Sequence, residues 1–275
     1  MIRRADVDVD NDAVADTDVL EGALHVEAAG VRGAPAMVFV HPNPMDSTAW
    51  MFQMAHLSTW YRCLAVDLPG YGRSPAARGP LTMAGVAAAV WEAVDDEVAG
   101  PVVVVGCSVG AVVAQHLYHQ RPGDVAAVVL TGAGWSPTKP HLQRHVDAYR
   151  RQGLAYRYEY TLADFSARFR TTPFARWLAD VFVGRNHLAD LDTILAMFAG
   201  MQQPDPDWLS RDLQAPTLIL SGTEDNAHAR AQALHARLPD SEFVALAGAG
   251  HACNLEVPAI FDDHLLTFLA RRGLR

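Results

Sequence analysis

The chain has 275 residues, 50% of them hydrophobic and 19% charged, enough for one α/β domain or for such a domain with an inserted subdomain. The formal net charge of −9 is concentrated at the start, where Arg3 and Arg4 stand against Asp6, Asp8, Asp10, Asp12, Asp16 and Asp18. With no basic face, nucleic acid is a poor partner. No apolar run follows the two arginines, so residues 1–20 read as an acidic, frayed leader and not as a secretion signal. No stretch approaches the 18 apolar residues of a membrane span. Cys63, Cys107 and Cys253 make a poor disulfide framework, which points to a reduced, cytoplasmic protein.

In chain order, Met37–Val40, Cys63–Val66, Val102–Val105, Val125–Leu130 and Thr217–Leu220 are short Val/Ile/Leu runs of the kind buried on both faces of a parallel sheet. Thr82–Val98 carries Val86, Val90, Ala93 and Val94 at helical spacing and stops at Gly100-Pro101. Val109–Gln120 is a second helix, ended by Pro122-Gly123. Alternation of strand and helix predicts α/β, with a core over residues 21–133 and 215–275. Residues 134–214 break the alternation with helical patches at His141–Gln152, Leu162–Phe169, Phe174–Val183 and Leu188–Met201. A helical insertion here would cap the sheet at the strands' carboxyl ends, where open α/β sheets bind ligands.

The chemistry centres on Gly106-Cys107-Ser108-Val109-Gly110. A G-x-S-x-G pentapeptide alone is a weak signal. Here it follows four valines and precedes a helix, which is the strand–turn–helix setting of a nucleophile elbow. A serine hydroxyl needs a base, and the base needs an orienting acid. Leu218–Asp225 runs from a strand into a turn and offers Asp225, with Glu224 beside it as a rival carboxylate. Phe243–Leu246 leads to Gly248-Ala249-Gly250-His251, which presents one of twelve histidines. Two amides would hold an oxyanion: Val109 N–H after the serine, and Asn43 N–H in His41-Pro42-Asn43-Pro44, where the prolines have none. Asn43-Pro44 is a candidate cis bond, and His41 a brace for its loop.

Together with Val66-Asp67-Leu68-Pro69-Gly70-Tyr71-Gly72-Arg73-Ser74 and Gly250-His251-Ala252-Cys253-Asn254-Leu255-Glu256-Val257-Pro258, these blocks resemble the α/β-hydrolase superfamily, in particular its enol-lactonase, esterase and cofactor-free peroxidase branch. The resemblance implies an α/β-hydrolase fold: a mostly parallel central sheet flanked by helices, with an inserted helical cap. It also implies a catalytic Ser108, Asp225 and His251, an oxyanion hole from Asn43 and Val109, and no cofactor or metal. His41-Pro42 departs from the family's usual His-Gly. The expected activity is hydrolysis of a carboxylic ester or lactone in a small-molecule substrate, by a monomer or homodimer. Carbon–carbon bond hydrolysis, peroxidation and low-turnover ligand sensing are alternatives on the same residues.

Other residues have plainer readings. His116/His119 and His141/His145 have chelating spacing but lack an H-E-x-x-H context, and Cys107 and Cys253 are small buried fillers. Arg168 and Arg170 are solvated cap residues before they are a carboxylate clamp. Trp135, Phe165, Phe169, Trp177, Phe182, Met197, Phe198 and Met201 are mostly packing, with a few facing a pocket.

Overall fold

Side chains alternate between the two faces of a strand, so a strand covered on both sides must be apolar throughout. The computed structural model describes residues 22–185 and 189–274. In it Val102 and Val104 join the core on one face of the sheet, and Val103 and Val105 join the core on the other. The leader expected over residues 1–20 lies outside the described residues.

The first half of the chain runs β1 (Val26–Ala29), β2 (Ala36–Val40), α1 (Met51–Leu57), β3 (Arg62–Val66), α2 (Met83–Val94), β4 (Val102–Cys107), α3 (Val109–Gln120) and β5 (Val125–Thr131). A helical block follows: α4 (Gln143–Gln152), α5 (Tyr156–Ala163), α6 (Pro173–Arg185), α7 (Leu191–Gln202) and α8 (Trp208–Arg211). The sheet then resumes with β6 (Thr217–Gly222), α9 (His228–His235), β7 (Ser241–Leu246), α10 (Cys253–Glu256) and α11 (Pro258–Arg271).

Among the described residues the strands form one sheet in the order β1-β3-β2-β4-β5-β6-β7. Only β1, paired with β3, is antiparallel. α2 and α3 cover one face through Val86, Val90, Val113 and Leu117. α1 and α11 cover the other through Met54, Leu57, Phe261 and Leu265. This is the mostly parallel, helix-flanked sheet expected. No helix among the described residues is long and apolar enough to cross a membrane.

Two local differences have physical causes. β1 has a weak pattern because it is a four-residue edge strand with its central pair exposed. The helix expected over Leu162–Phe169 is instead α5, which ends at Ala163. The Asp164 carbonyl after it accepts the backbone N–H of both His251, at 2.8 Å, and Ala252, at 3.2 Å. Phe165 and Phe169, which mimic helical spacing, pack against each other across the turn with ring centroids 5.0 Å apart.

The crossing of α3 over β2 depends on Gly110. A Cβ there would stand 2.1 Å from the Val40 carbonyl oxygen, with no flexible side chain to give way. Gly110→Ala is expected to lower stability by about 3 kcal/mol, or a Tm drop of roughly 6–12 °C. An unchanged melting curve would contradict this packing.

Candidate active site

β4 delivers the serine and α3 starts immediately after it. Ser108 has φ 55° and ψ −115°, the only positive φ of a non-glycine among the described residues. A side chain held in that region stores backbone strain, and such strain concentrates at functional positions. The surroundings impose it. Ser108 N–H is tied to the Thr131 carbonyl at 3.0 Å, and a Cβ on Gly106 would lie 2.2 Å from the Gly110 carbonyl oxygen. The G-x-S-x-G glycines are therefore required by contact, since chain segments occupy the space their side chains would need.

Asp225 follows the carboxyl end of β6, and His251 lies in the loop after β7. The structure joins them: His251 Nδ1 is 2.9 Å from Asp225 Oδ1, which also accepts Ala227 N–H at 2.8 Å. Asp225 Oδ2 is buried without a hydrogen-bond partner. Glu256 fixes the histidine loop by accepting Gly250 N–H at 2.9 Å, Ser166 N–H at 2.8 Å and the Ser166 hydroxyl at 2.6 Å. Glu224, the rival carboxylate, accepts Ala167 N–H and fastens the helical block to the sheet.

Ser108 and His251 line one cavity of about 110 Å³ beneath the helical block. No hydrogen bond joins them among the described residues. Nucleophile–base contacts are often loose without substrate and tighten on binding. The imidazole is backed by Gly132, where a Cβ would stand 2.8 Å from His251 Cε1.

The His41-Pro42-Asn43-Pro44 loop, expected to supply an oxyanion donor, is held from several sides. His41 is wholly buried. Its Nδ1 donates to the Pro42 carbonyl at 2.9 Å, and Nε2 accepts Leu68 N–H at 2.9 Å. That pairing requires a neutral ring, and burial, against the pull of Asp67, lowers its pKa. His41 thus braces the loop as expected. The Asn43-Pro44 bond is cis. Two residues of the helical block complete the support: Tyr149 hydroxyl donates to Asn43 Oδ1 at 3.2 Å, and the buried Arg157 donates to the Pro44 carbonyl. Among the described residues neither Asn43 N–H nor Val109 N–H donates to a backbone acceptor.

Asp164 is the main site residue that sequence reasoning missed. Its carboxyl is buried in the cavity wall, with Oδ2 unpartnered. Burial lifts it to about 7, with Asp225 adding and His251 opposing. Burial pulls His251 down, but Asp225, its hydrogen bond and Asp164 outweigh that and raise the imidazole to about 9. Burial pushes Asp225 up, yet His251 and the Ala227 amide hold it below the ordinary carboxylate value. A histidine acts as general base in its neutral form, so with His251 in the role expected of it kcat/KM should rise with pH up to about 9. Asp164→Asn removes a negative charge that favours the imidazolium, so this limb should move to lower pH. A pH–rate profile checks it, and a limb that stays in place would contradict the coupling.

The remaining candidates separate clearly. Arg168 and Arg170 are exposed and do not line the cavity, whereas Trp135 and Met201 do. All three cysteines are free and buried, and Cys253 Sγ lies 3.0 Å from Thr131 Oγ1. His116 and His119 pack edge-on against Trp208. His141 and His145 line the cavity.

A family model described as "Alpha/beta hydrolase family" matches residues 37–263. "Putative carbamate hydrolase RutD" of Klebsiella pneumoniae (strain 342) is 26% identical over 258 residues, covering 90% of this chain and 96% of that protein. A thermophilic esterase from Thermogutta terrifontis superposes with a TM-score of 0.77 at 25% identity, covering 92% of this chain and 97% of that one. The enol-lactonase from Burkholderia xenovorans LB400, at 24% identity and TM-score 0.80 over 92% of this chain and 98% of its own, shares the fold. With a family match that runs from β2 into α11 and a G-x-S-x-G turn between β4 and α3, this chain belongs to the α/β-hydrolase family.

Proposed function

We propose that the chain is a serine hydrolase that cleaves a carboxylic ester or lactone through an acyl-enzyme on Ser108. The observation that supports this best is a strained serine lining the same cavity as His251, which is hydrogen-bonded to Asp225. His251 Nε2 takes the Ser108 proton as Oγ attacks the carbonyl carbon. Asp225 holds Nδ1–H and stabilises the imidazolium. The Asn43 and Val109 amides hold the oxyanion, each worth about 3 kcal/mol of barrier. The tetrahedral intermediate collapses, the carbon–oxygen bond breaks, and His251 gives its proton to the leaving alkoxide. Water, deprotonated by His251, then attacks the acyl-enzyme and releases the acid and Ser108.

A carbamate carbonyl is open to the same attack, and the relative named as a carbamate hydrolase matches nearly the whole chain. A pH-stat panel of alkyl esters, lactones and alkyl carbamates therefore tests the proposal. Turnover of an ester or lactone is expected. Turnover of carbamates alone would replace the substrate class and keep the serine chemistry.

A further inference from the structure

The cavity around Ser108 carries unbalanced positive charge, although the chain as a whole has a formal net charge of −9. Arg144 on α4 and Arg230 on α9 both line it. Their hydrogen bonds go to neutral acceptors. Arg144 Nε donates to His145 Nε2 at 3.2 Å, and Arg230 donates to the Asn226 carbonyl at 3.2 Å and to Asn226 Oδ1 at 3.3 Å. Among the described residues neither guanidinium has a carboxylate within ion-pair distance. Lys139, another cation of the wall, is neutralised by Asp205 at 2.7 Å, and His251, raised to about 9, is paired with Asp225 at 2.9 Å.

The histidines beside them do not supply the missing balance and do not add to the charge. Burial, then the adjacent arginines, hold His141 and His145 down to about 4, so both are neutral near pH 7. Burial lowers the proton affinity of Arg230, Asp225 opposes, and Arg144 adds a smaller lowering. Asp225 is already engaged by His251 and Ala227, and Asp164 is held near its midpoint at neutrality. Two like charges facing one part-buried space are relieved by an anion between them, and guanidinium forks match a carboxylate's two oxygens.

Resting on the serine-hydrolase proposal above, we infer that Arg144 and Arg230 form a subsite for a carboxylate, and that the substrate is an ester or lactone bearing one. Trp135, Leu142 and Met201 supply apolar wall beside the arginines, which suits a carboxylate on a short hydrocarbon chain. The positive rim also draws an anionic substrate toward the mouth.

Calorimetric titration of the intact protein with adipate tests this, with hexane-1,6-diol as the uncharged control. Adipate should bind and the diol should not. Arg144→Gln and Arg230→Gln should each weaken binding by about 10-fold or more, while Arg230→Lys, which keeps the charge, should recover part of the loss. Thermal unfolding checks that each variant is folded. Weaker binding at higher salt reads the same charge on the unaltered protein. Adipate that fails to bind, or binds equally to the glutamine variants, overturns the subsite. Fluorophosphonate labelling of the same preparation reads the serine separately. Labelled protein that ignores adipate loses only the subsite, and unlabelled protein that binds adipate loses only the serine chemistry.

Discussion

Ser108→Ala is expected to lower kcat/KM by about 10⁴- to 10⁶-fold on whichever ester or lactone the enzyme accepts. The substitution removes the oxygen that the proposed acyl-enzyme needs and leaves its surroundings in place. Ser108 N–H still reaches the Thr131 carbonyl, and the Gly106 and Gly110 contacts are backbone features. The strained φ of 55° is kept by those contacts, so alanine should sit there without unfolding the chain. Tm within a few degrees of wild type, together with lost turnover, separates chemistry from folding. A variant that retains a tenth of the activity would mean that a different group does the chemistry.

Asp225→Asn should lower kcat by about 10⁴-fold with little change in KM. An asparagine fits the same space, but its amide would present either an N–H to a ring nitrogen that already carries a proton or a weaker, uncharged acceptor. The first forces the proton onto Nε2, where it blocks uptake of the Ser108 proton. Loss of the carboxylate also removes the main force holding His251 up at about 9, so residual activity should reach its plateau at lower pH. Glu224→Gln, which removes a charge but keeps an acceptor for the Ala167 N–H, should be far milder. If the two variants fell equally, Asp225 would not be the orienting acid.

What was legible in the sequence is what local sterics and strand ends determine. The valine run and G-x-S-x-G predict the elbow because only glycine tolerates a neighbouring carbonyl at 2.1–2.2 Å, and α3 begins and ends where the pattern puts it. Asp225 and His251 could be located because each directly follows a strand. The cavity wall was illegible for the opposite reason. Asp164, Tyr149 and Arg157 act through contacts with residues about 90 or more positions away, set by how the helical block lies over the sheet. Arg144 and Arg230 belong to different elements and meet only in the folded chain. Arg168 and Arg170, read from the sequence as solvated before a clamp, are exposed. The early end of α5 has the same origin, since the Asp164 carbonyl holds the His251 loop instead of continuing a helix.

The central claim is that Ser108 is an activated nucleophile. Intact-protein mass spectrometry after treatment with a fluorophosphonate probe tests it on wild type and Ser108→Ala. One adduct on wild type, mapped to Ser108 and absent from the variant, is the predicted result. An adduct on another residue, or none on either protein, would contradict it.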